Sequence, residues 1–280
     1  MQDVALVKPE SMNECITCYP SLARDKIAVT LVAHGLNLKP EAMLPLIDFL
    51  RNLGSAVYLV RLSGHESNGP GISSITAATW QAEMLAGYEM AKQASRDSSL
   101  PLYFLGYSMG ALLGQALMSL PLHRINFDRQ VLLAPATGIR WRSYLLKVLF
   151  IFGSRRTVRS FAPEAYRANT AIPLFVYRIL FNEEKKVLAS RFSNLNIPTL
   201  IILDPKDELI SHRKLQNQIK KYSLTRYRIL LLHKKDAHKK RGYCHQIFDP
   251  DTLGEQRWKV MTTEIEHFLF GQLPEEKAPV

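Results

Sequence analysis

The residue best placed to act as a nucleophile is the serine at the centre of Gly106-Tyr107-Ser108-Met109-Gly110. An apolar run, Leu102 to Leu105, precedes it, and Ala111, Leu112, Leu113, Ala116 and Leu117 follow at helical spacing. The pattern predicts a buried strand, a sharp turn and a helix. Such a turn holds the serine in strained backbone geometry with its Oγ raised at the sheet edge. Gly106 and Gly110 remove the side chains that would keep strand and helix apart. The N–H of Met109, at the helix start, can then receive an anion. This is acyl-transfer chemistry, and it requires a base, an acid to orient the base and a second oxyanion donor.

The β-branched and apolar run Ile27 to Ala33 predicts another buried strand, which ends in His34-Gly35-Leu36. Gly35 permits a sharp turn that directs the Leu36 N–H toward the serine, so the amides of Leu36 and Met109 are expected to form an oxyanion hole. His34 reads as a hydrogen-bonding residue of this supporting loop rather than as the base, because it precedes the serine. A third strand, Ile197 to Leu203, leads into Asp204-Pro205-Lys206-Asp207-Glu208-Leu209-Ile210. Asp204, before a proline, reads as a turn former. Asp207 stands at the loop apex, followed by an apolar pair that would pack the loop down, and is the expected acid. Glu208 is expected to be solvated. After the last predicted strand, Tyr227 to Leu232, come His233, His238 and His245. His233 ends the strand. His238 lies among lysines whose charge opposes an imidazolium. His245, with Gly242 before it and Ile247 and Phe248 after it, is the preferred base, and His238 is the alternative.

The order Ser, Asp, His and the motifs around it resemble the serine α/β hydrolases, most of all the monoglyceride lipase, lysophospholipase and carboxylesterase branch. The matching pieces are His34-Gly35, Arg61-Leu62-Ser63-Gly64-His65-Glu66-Ser67, the turn at Ser108, Ile197 through Ile210, and Cys244-His245. They spread over nearly the whole chain. The chain departs from that pattern at Arg61, where an acidic residue is usual, at Glu66, where glycine is common, and at Ala111, where a second glycine is frequent. None of these removes a catalytic group; they bear on substrate choice. The resemblance implies an α/β fold with a mostly parallel sheet, an inserted cap that shapes the substrate pocket, no metal or organic cofactor, and hydrolysis of a small or monoacyl ester such as a monoglyceride or lysophospholipid. A thioesterase, an acyltransferase and a non-catalytic binding protein on the same fold are the alternatives.

Strands are expected near 27–33, 56–61, 102–106, 130–134, 198–203 and 227–232, and helices near 40–53, 76–95, 109–120, 211–221 and 252–270. This alternation implies a parallel sheet with helices on both faces. Residues 4–20 allow a short hairpin. Between Pro135 and Arg191 the alternation breaks into expected helices at Arg140–Phe152, Ala162–Asn169 and Pro173–Phe181. The expected division is therefore a core over 1–138, a helical cap over 139–190 and a core again over 191–280. Of the cap's apolar residues, Leu145, Leu146, Leu149, Phe150, Phe152, Phe161, Leu174, Phe175, Leu180 and Phe181, most should pack the cap down and a minority should face substrate.

Net charge is +11, and it is concentrated. From Ile139 to Phe181 eight basic residues stand against one acid, Glu164, and from His212 to Arg241 eleven stand against Asp236. A basic rim of this kind suits peripheral contact with an anionic membrane surface. No nucleic-acid recognition module is visible. No apolar run approaches the ~20 residues of a membrane span, and Met1 to Glu10 lacks an apolar signal core, so a cytoplasmic protein is expected. Cys15 and Cys18 form C-x-x-C without a second ligand pair and read as two unlinked thiols. Cys244 lacks any nucleophile-turn context.

Overall fold

Runs of aliphatic and β-branched residues, bounded by turn formers, give nine strands. They are β1 Ile16–Tyr19, β2 Ala28–Ala33, β3 Ser55–Val60, β4 Leu102–Tyr107, β5 Arg129–Leu133, β6 Thr157–Arg159, β7 Ala171–Pro173, β8 Thr199–Leu203 and β9 Tyr227–Leu231. The computed structural model describes residues 14–66, 71–120, 125–153, 155–160, 162–190, 192, 194–233 and 244–271, and counts of elements refer to these. Seven strands form one sheet in the order β1-β3-β2-β4-β5-β8-β9. Only the β1–β3 pair is antiparallel. β2, β4 and β8 are buried along their whole length, which is why they read as continuous apolar runs without alternation.

Eight α-helices accompany the strands: α1 Leu44–Asn52, α2 Ala77–Ser98, α3 Met109–Met118, α4 Leu146–Leu149, α5 Leu174–Ala189, α6 His212–Lys221, α7 Pro250–Leu253 and α8 Glu255–Phe270. α1 packs on β3, α2 on β2 and β3, α3 on β4, and α8 on β5 and β8. Thr76 caps α2 with its hydroxyl on the Thr79 N–H, and Ser211 caps α6 through the Lys214 N–H. The chain runs from β2 outward to β3 and then crosses back to β4 on the other side of β2. The strand order thus reverses between β2 and β4, and their carboxyl ends open the crevice where α/β sheets place their sites.

Several expectations need correction. β1 pairs with β3, and residues 4–13, the first part of the expected hairpin, lie outside the described residues. Residues 162–169 are not helical: Asn169 bonds across to Asn37 and Lys39 takes the Tyr166 carbonyl, so these groups satisfy the core rather than a local helix. The segment lies in the connection between β6 and β7, a small antiparallel pair the sequence did not reveal. The helix expected to end at Phe181 continues to Ala189. Arg140–Phe152 is a chain of 3-10 turns around the four-residue α4. The final helix is two, split at Gly254 with φ +80°, after Asp249 caps the Thr252 N–H.

Gly110 and Gly106 mark a close approach of backbone to backbone in the fold. A Cβ at Gly110 would lie 2.3 Å from the Ala33 carbonyl oxygen, and one at Gly106 would lie 2.5 Å from Ala111 Cα. Gly110→Ala should therefore destabilise by about 3 kcal/mol or more, although alanine is favoured over glycine in helices by ~1 kcal/mol. Gly71→Ala, where a Cβ meets nothing within 4 Å, should stay close to wild type. Urea unfolding of the two variants checks the contrast.

Candidate active site

Ser108 stands between the end of β4 and the start of α3, with φ 50° and ψ −111°. That region is strained for any L-residue. The surroundings hold it there: the Ser108 N–H donates to the Leu133 carbonyl at 2.8 Å, and its carbonyl accepts from Ala136 N at 3.1 Å. Gly35 of the loop after β2 packs against it, since a Cβ on Gly35 would lie 3.3 Å from Ser108 Cβ. Leu36 and Met109 both line the cavity onto which Ser108 opens.

Asp207 and His245 meet Ser108 from two further loops. Asp207 is fully buried. Its Oδ1 accepts the N–H groups of Leu209 and Ile210, each at 2.8 Å, and its Oδ2 accepts from His245 Nδ1 at 2.8 Å. Nδ1 must carry the proton to face a carboxylate, so Nε2 is the acceptor, and Ser108 Oγ donates to it at 2.9 Å. Asp204 acts as a turn former, taking the Lys206 N–H on its carboxylate at 2.7 Å and the Asp207 N–H on its carbonyl at 3.0 Å. His233 closes β9. His238 and Ser67 lie outside the described residues.

His34 is fully buried and ties the loop after β2 to the end of β3. Its Nε2 accepts the Leu62 N–H at 3.1 Å, so Nδ1 carries the proton and donates to the Gly35 carbonyl at 2.9 Å. Burial, and secondarily His65, hold His34 well below the usual histidine range. His65 stacks edge-on at 4.8 Å and donates Nδ1–H to the Leu62 carbonyl at 2.9 Å; burial lowers it to about 4. The departures at Arg61 and Glu66 answer one another: the Arg61 guanidinium bonds Glu66 at 2.6 Å and Glu41 at 2.8 Å.

A cavity of about 350 Å³ opens beside Ser108 and His245, within the range of small-ligand sites. Its walls are mainly apolar. Leu38 and Ile210 come from the core, and Ile139, Leu146, Leu180 and Phe181 come from the stretch between β5 and β8. Of the apolar cap residues weighed above, Leu146, Leu180 and Phe181 face the cavity, while Leu145 and Leu149 are exposed. Phe161 and the side chain of Phe152 lie outside the described residues.

Three polar groups at the site escaped the sequence. Glu208 is exposed, as expected, but it also accepts the backbone N–H groups of Cys244 at 2.9 Å and His245 at 3.1 Å. Arg140 donates Nε–H to the carbonyls of Asp207 at 2.6 Å and Ile210 at 3.2 Å. The Tyr107 hydroxyl donates to the His245 carbonyl at 3.2 Å; burial first, then the carboxylates of Asp207, Glu208 and Asp249, pushes it well above the usual phenol range and keeps it a donor. Each partner is distant in the chain, so no local pattern marks them. Cys15 and Cys18 are in no disulfide, and burial pushes Cys15 up to about 12.

Comparison with known proteins adds three findings. The family described as serine aminopeptidase, S33, matches residues 24–178, a stretch that includes Ser108. Among solved structures, a soluble variant of monoglyceride lipase from Saccharomyces cerevisiae aligns at 15% identity and TM-score 0.71, covering 91% of this chain and 90% of that one. The monoacylglycerol lipase of Paleococcus ferrophilus aligns at 14% identity and TM-score 0.63, covering 90% and 98%. A chain described with the metagenome-derived lipolytic enzymes LipS and LipT aligns at 18% identity and TM-score 0.68, covering 90% and 96%. These likenesses establish the α/β-hydrolase fold. No curated protein sequence matches significantly.

The two buried histidines give a pH dependence with a fixed sign. In the unfolded chain each titrates near the ordinary histidine value of 6.5, whereas in the folded chain both resist protonation. Their stability contribution is present above 6.5 and is lost as pH falls below it, for His65 through the window down to about 4. Unfolding free energy at pH 5 should therefore be lower than at pH 7.5, with His65 supplying about 2 kcal/mol of the difference. Urea unfolding at the two pH values measures it, and His65→Asn should remove one histidine's share. A wild-type stability unchanged between them would contradict the assignment.

Proposed function

The chain belongs to the serine aminopeptidase S33 family, and from that premise we propose that it is a serine hydrolase of carboxylic esters. The observation that carries this reading is the hydrogen-bond chain from Asp207 through His245 to Ser108, at 2.8 and 2.9 Å, on the wall of an apolar cavity. His245 takes the proton as Ser108 Oγ attacks the ester carbonyl. The Leu36 and Met109 amides hold the oxyanion. His245 then gives the proton to the leaving alcohol, and water repeats the cycle on the acyl-enzyme. Asp207 holds the tautomer and stabilises the imidazolium. The apolar walls suit an acyl chain, and a monoacyl ester such as a monoglyceride or lysophospholipid is the substrate class proposed. An aminopeptidase would need a free carboxylate to receive a substrate amine. The one carboxylate on the cavity wall among the described residues, Glu208, is occupied by backbone N–H groups.

The test is labelling by a fluorophosphonate probe beside turnover of p-nitrophenyl esters of increasing chain length. Ser108→Ala and His245→Ala should abolish labelling and lower turnover by about 10⁴-fold or more, while His238→Ala stays active. Labelling retained in Ser108→Ala would overturn the reading.

Residues 139–190 serve in this reading as a cap with two faces. Ile139, Ser143 and Leu146 line the cavity. Trp141, Leu145, Val148, Leu149 and Ile151 point outward and make up five of the nine exposed large apolar residues described, Trp141 at 69% and Ile151 at 76% exposure. Arg142 lies over the Trp141 ring, and Arg155 follows the run. An apolar surface with basic companions at the cavity mouth fits the interface of an anionic bilayer, where a lipid ester would enter. No helix among the described residues is long and apolar enough to cross a membrane. The wild type should pellet with vesicles containing phosphatidylglycerol and less with phosphatidylcholine alone. Trp141→Ala combined with Ile151→Ser should lose vesicle binding by about tenfold and keep turnover of a water-soluble ester. Equal binding to both vesicles would refute the contact.

A further inference from the structure

His245 lies in no helix or strand, so ladder hydrogen bonds do not fix its position. A bond at Nδ1 alone sets the direction of the ring but leaves its backbone free to pivot about that bond. Proton transfer at a reacting oxygen tolerates errors of only ~0.5 Å. Something else must hold the main chain of this residue, and two side chains do. Glu208 accepts the Cys244 N–H on one carboxylate oxygen at 2.9 Å and the His245 N–H on the other at 3.1 Å. The Tyr107 hydroxyl donates to the His245 carbonyl at 3.2 Å. Tyr107 directly precedes Ser108 and Glu208 directly follows Asp207. The residues that hold the backbone of His245 are therefore chain neighbours of the two that its ring engages.

We propose that Glu208 is a positioning residue for the base, forming with Asp207 a two-residue grip on the ring and the backbone of His245. The proposal rests on His245 being the base. A carboxylate suits the task because charge-assisted bonds to N–H groups are roughly twice as strong as neutral ones and both oxygens can accept at once. The grip is itself braced: Arg140 donates to the Asp207 and Ile210 carbonyls from the opposite side, and Arg140 N donates to the Leu209 carbonyl at 2.7 Å. The acid and the base are thus held together as one unit. Glutamine keeps the length but offers one acceptor and turns an amide N–H₂ toward a backbone N–H, so it restores only part of the grip.

The experiment compares wild type, Glu208→Gln and Glu208→Ala by three readouts. With a water-soluble p-nitrophenyl ester, kcat should fall by about tenfold or more in Glu208→Ala and by less in Glu208→Gln, with KM within about twofold of wild type. In proton NMR, the low-field resonance of the His245 Nδ1 proton, bonded to Asp207, should be sharp in wild type and broadened or lost in Glu208→Ala. Thermal unfolding confirms that each variant is folded. A variant with reduced melting temperature but unchanged kcat and an unchanged low-field proton would show a merely structural role and overturn the proposal. Should wild type fail to label with fluorophosphonate, the hydrolase reading falls, and the low-field proton still decides whether Glu208 holds His245.

Discussion

The site depends first on one close approach, that of the first turn of α3 to the carbonyl end of β2. A single methyl group at Gly110 would collide with the Ala33 carbonyl. With that group absent, α3 begins directly against the strand, and Ser108 is forced into a backbone conformation it would not adopt alone. The cost, of order 1–3 kcal/mol for such geometry, is offset by buried packing along β4 and α3, where nearly every side chain is in the core. The same approach brings the loop after β2 onto the serine. One steric constraint therefore sets the proposed nucleophile and one half of the proposed anion site together.

The other half of the chemistry is held differently. Asp207 and His245 sit in loops, and their hydrogen bonds are mostly to side chains or to amides of the same loop. A sheet can place the ends of β8 and β9 to within a few ångströms, but the final alignment falls to polar contacts between loops. That explains why so many buried polar groups cluster here and why each is satisfied. An unpaired one would cost about 1–3 kcal/mol and would leave the imidazole free to turn.

How far the site was legible in the sequence follows from the same division. The strand, turn and helix around Ser108 could be read because their causes are local: an apolar run, two glycines at fixed spacing and a helical repeat. Asp207 could be read from its place in a loop after a buried strand, and His245 from the glycine and apolar residues around it. Glu208 could not, because its partners are 36 and 37 residues away. Nor could the answering changes at Arg61 and Glu66, which look like departures singly and, with Glu41, form a paired cluster only in space. The stretch at 162–169 was misread for a related reason. Its composition tolerates a helix, but its backbone groups are taken by Asn37 and Lys39.

Asn37 also bears on how separable chemistry and substrate choice are in this chain. The reacting groups stand at the ends of core strands, while much of the cavity wall comes from residues 139–190, which suggests that the wall could be exchanged freely. The loop after β2 argues against full independence. Asn37, one residue beyond the proposed oxyanion donor Leu36, has φ 58° and spends its whole amide on the insertion. Its Nδ2 donates to Ser160 Oγ at 2.9 Å and to the Asn169 carbonyl at 3.0 Å, and its Oδ1 accepts the Asn169 N–H at 2.7 Å. Asn169 in turn reaches the Gly64 carbonyl at 2.8 Å. The backbone beside Leu36 is thus held partly by the inserted segment. In the proposed reading, a change in residues 139–190 that removed Asn169 would alter the cavity wall and loosen the loop that carries Leu36 in one step, so substrate preference and turnover would be coupled through a single asparagine pair.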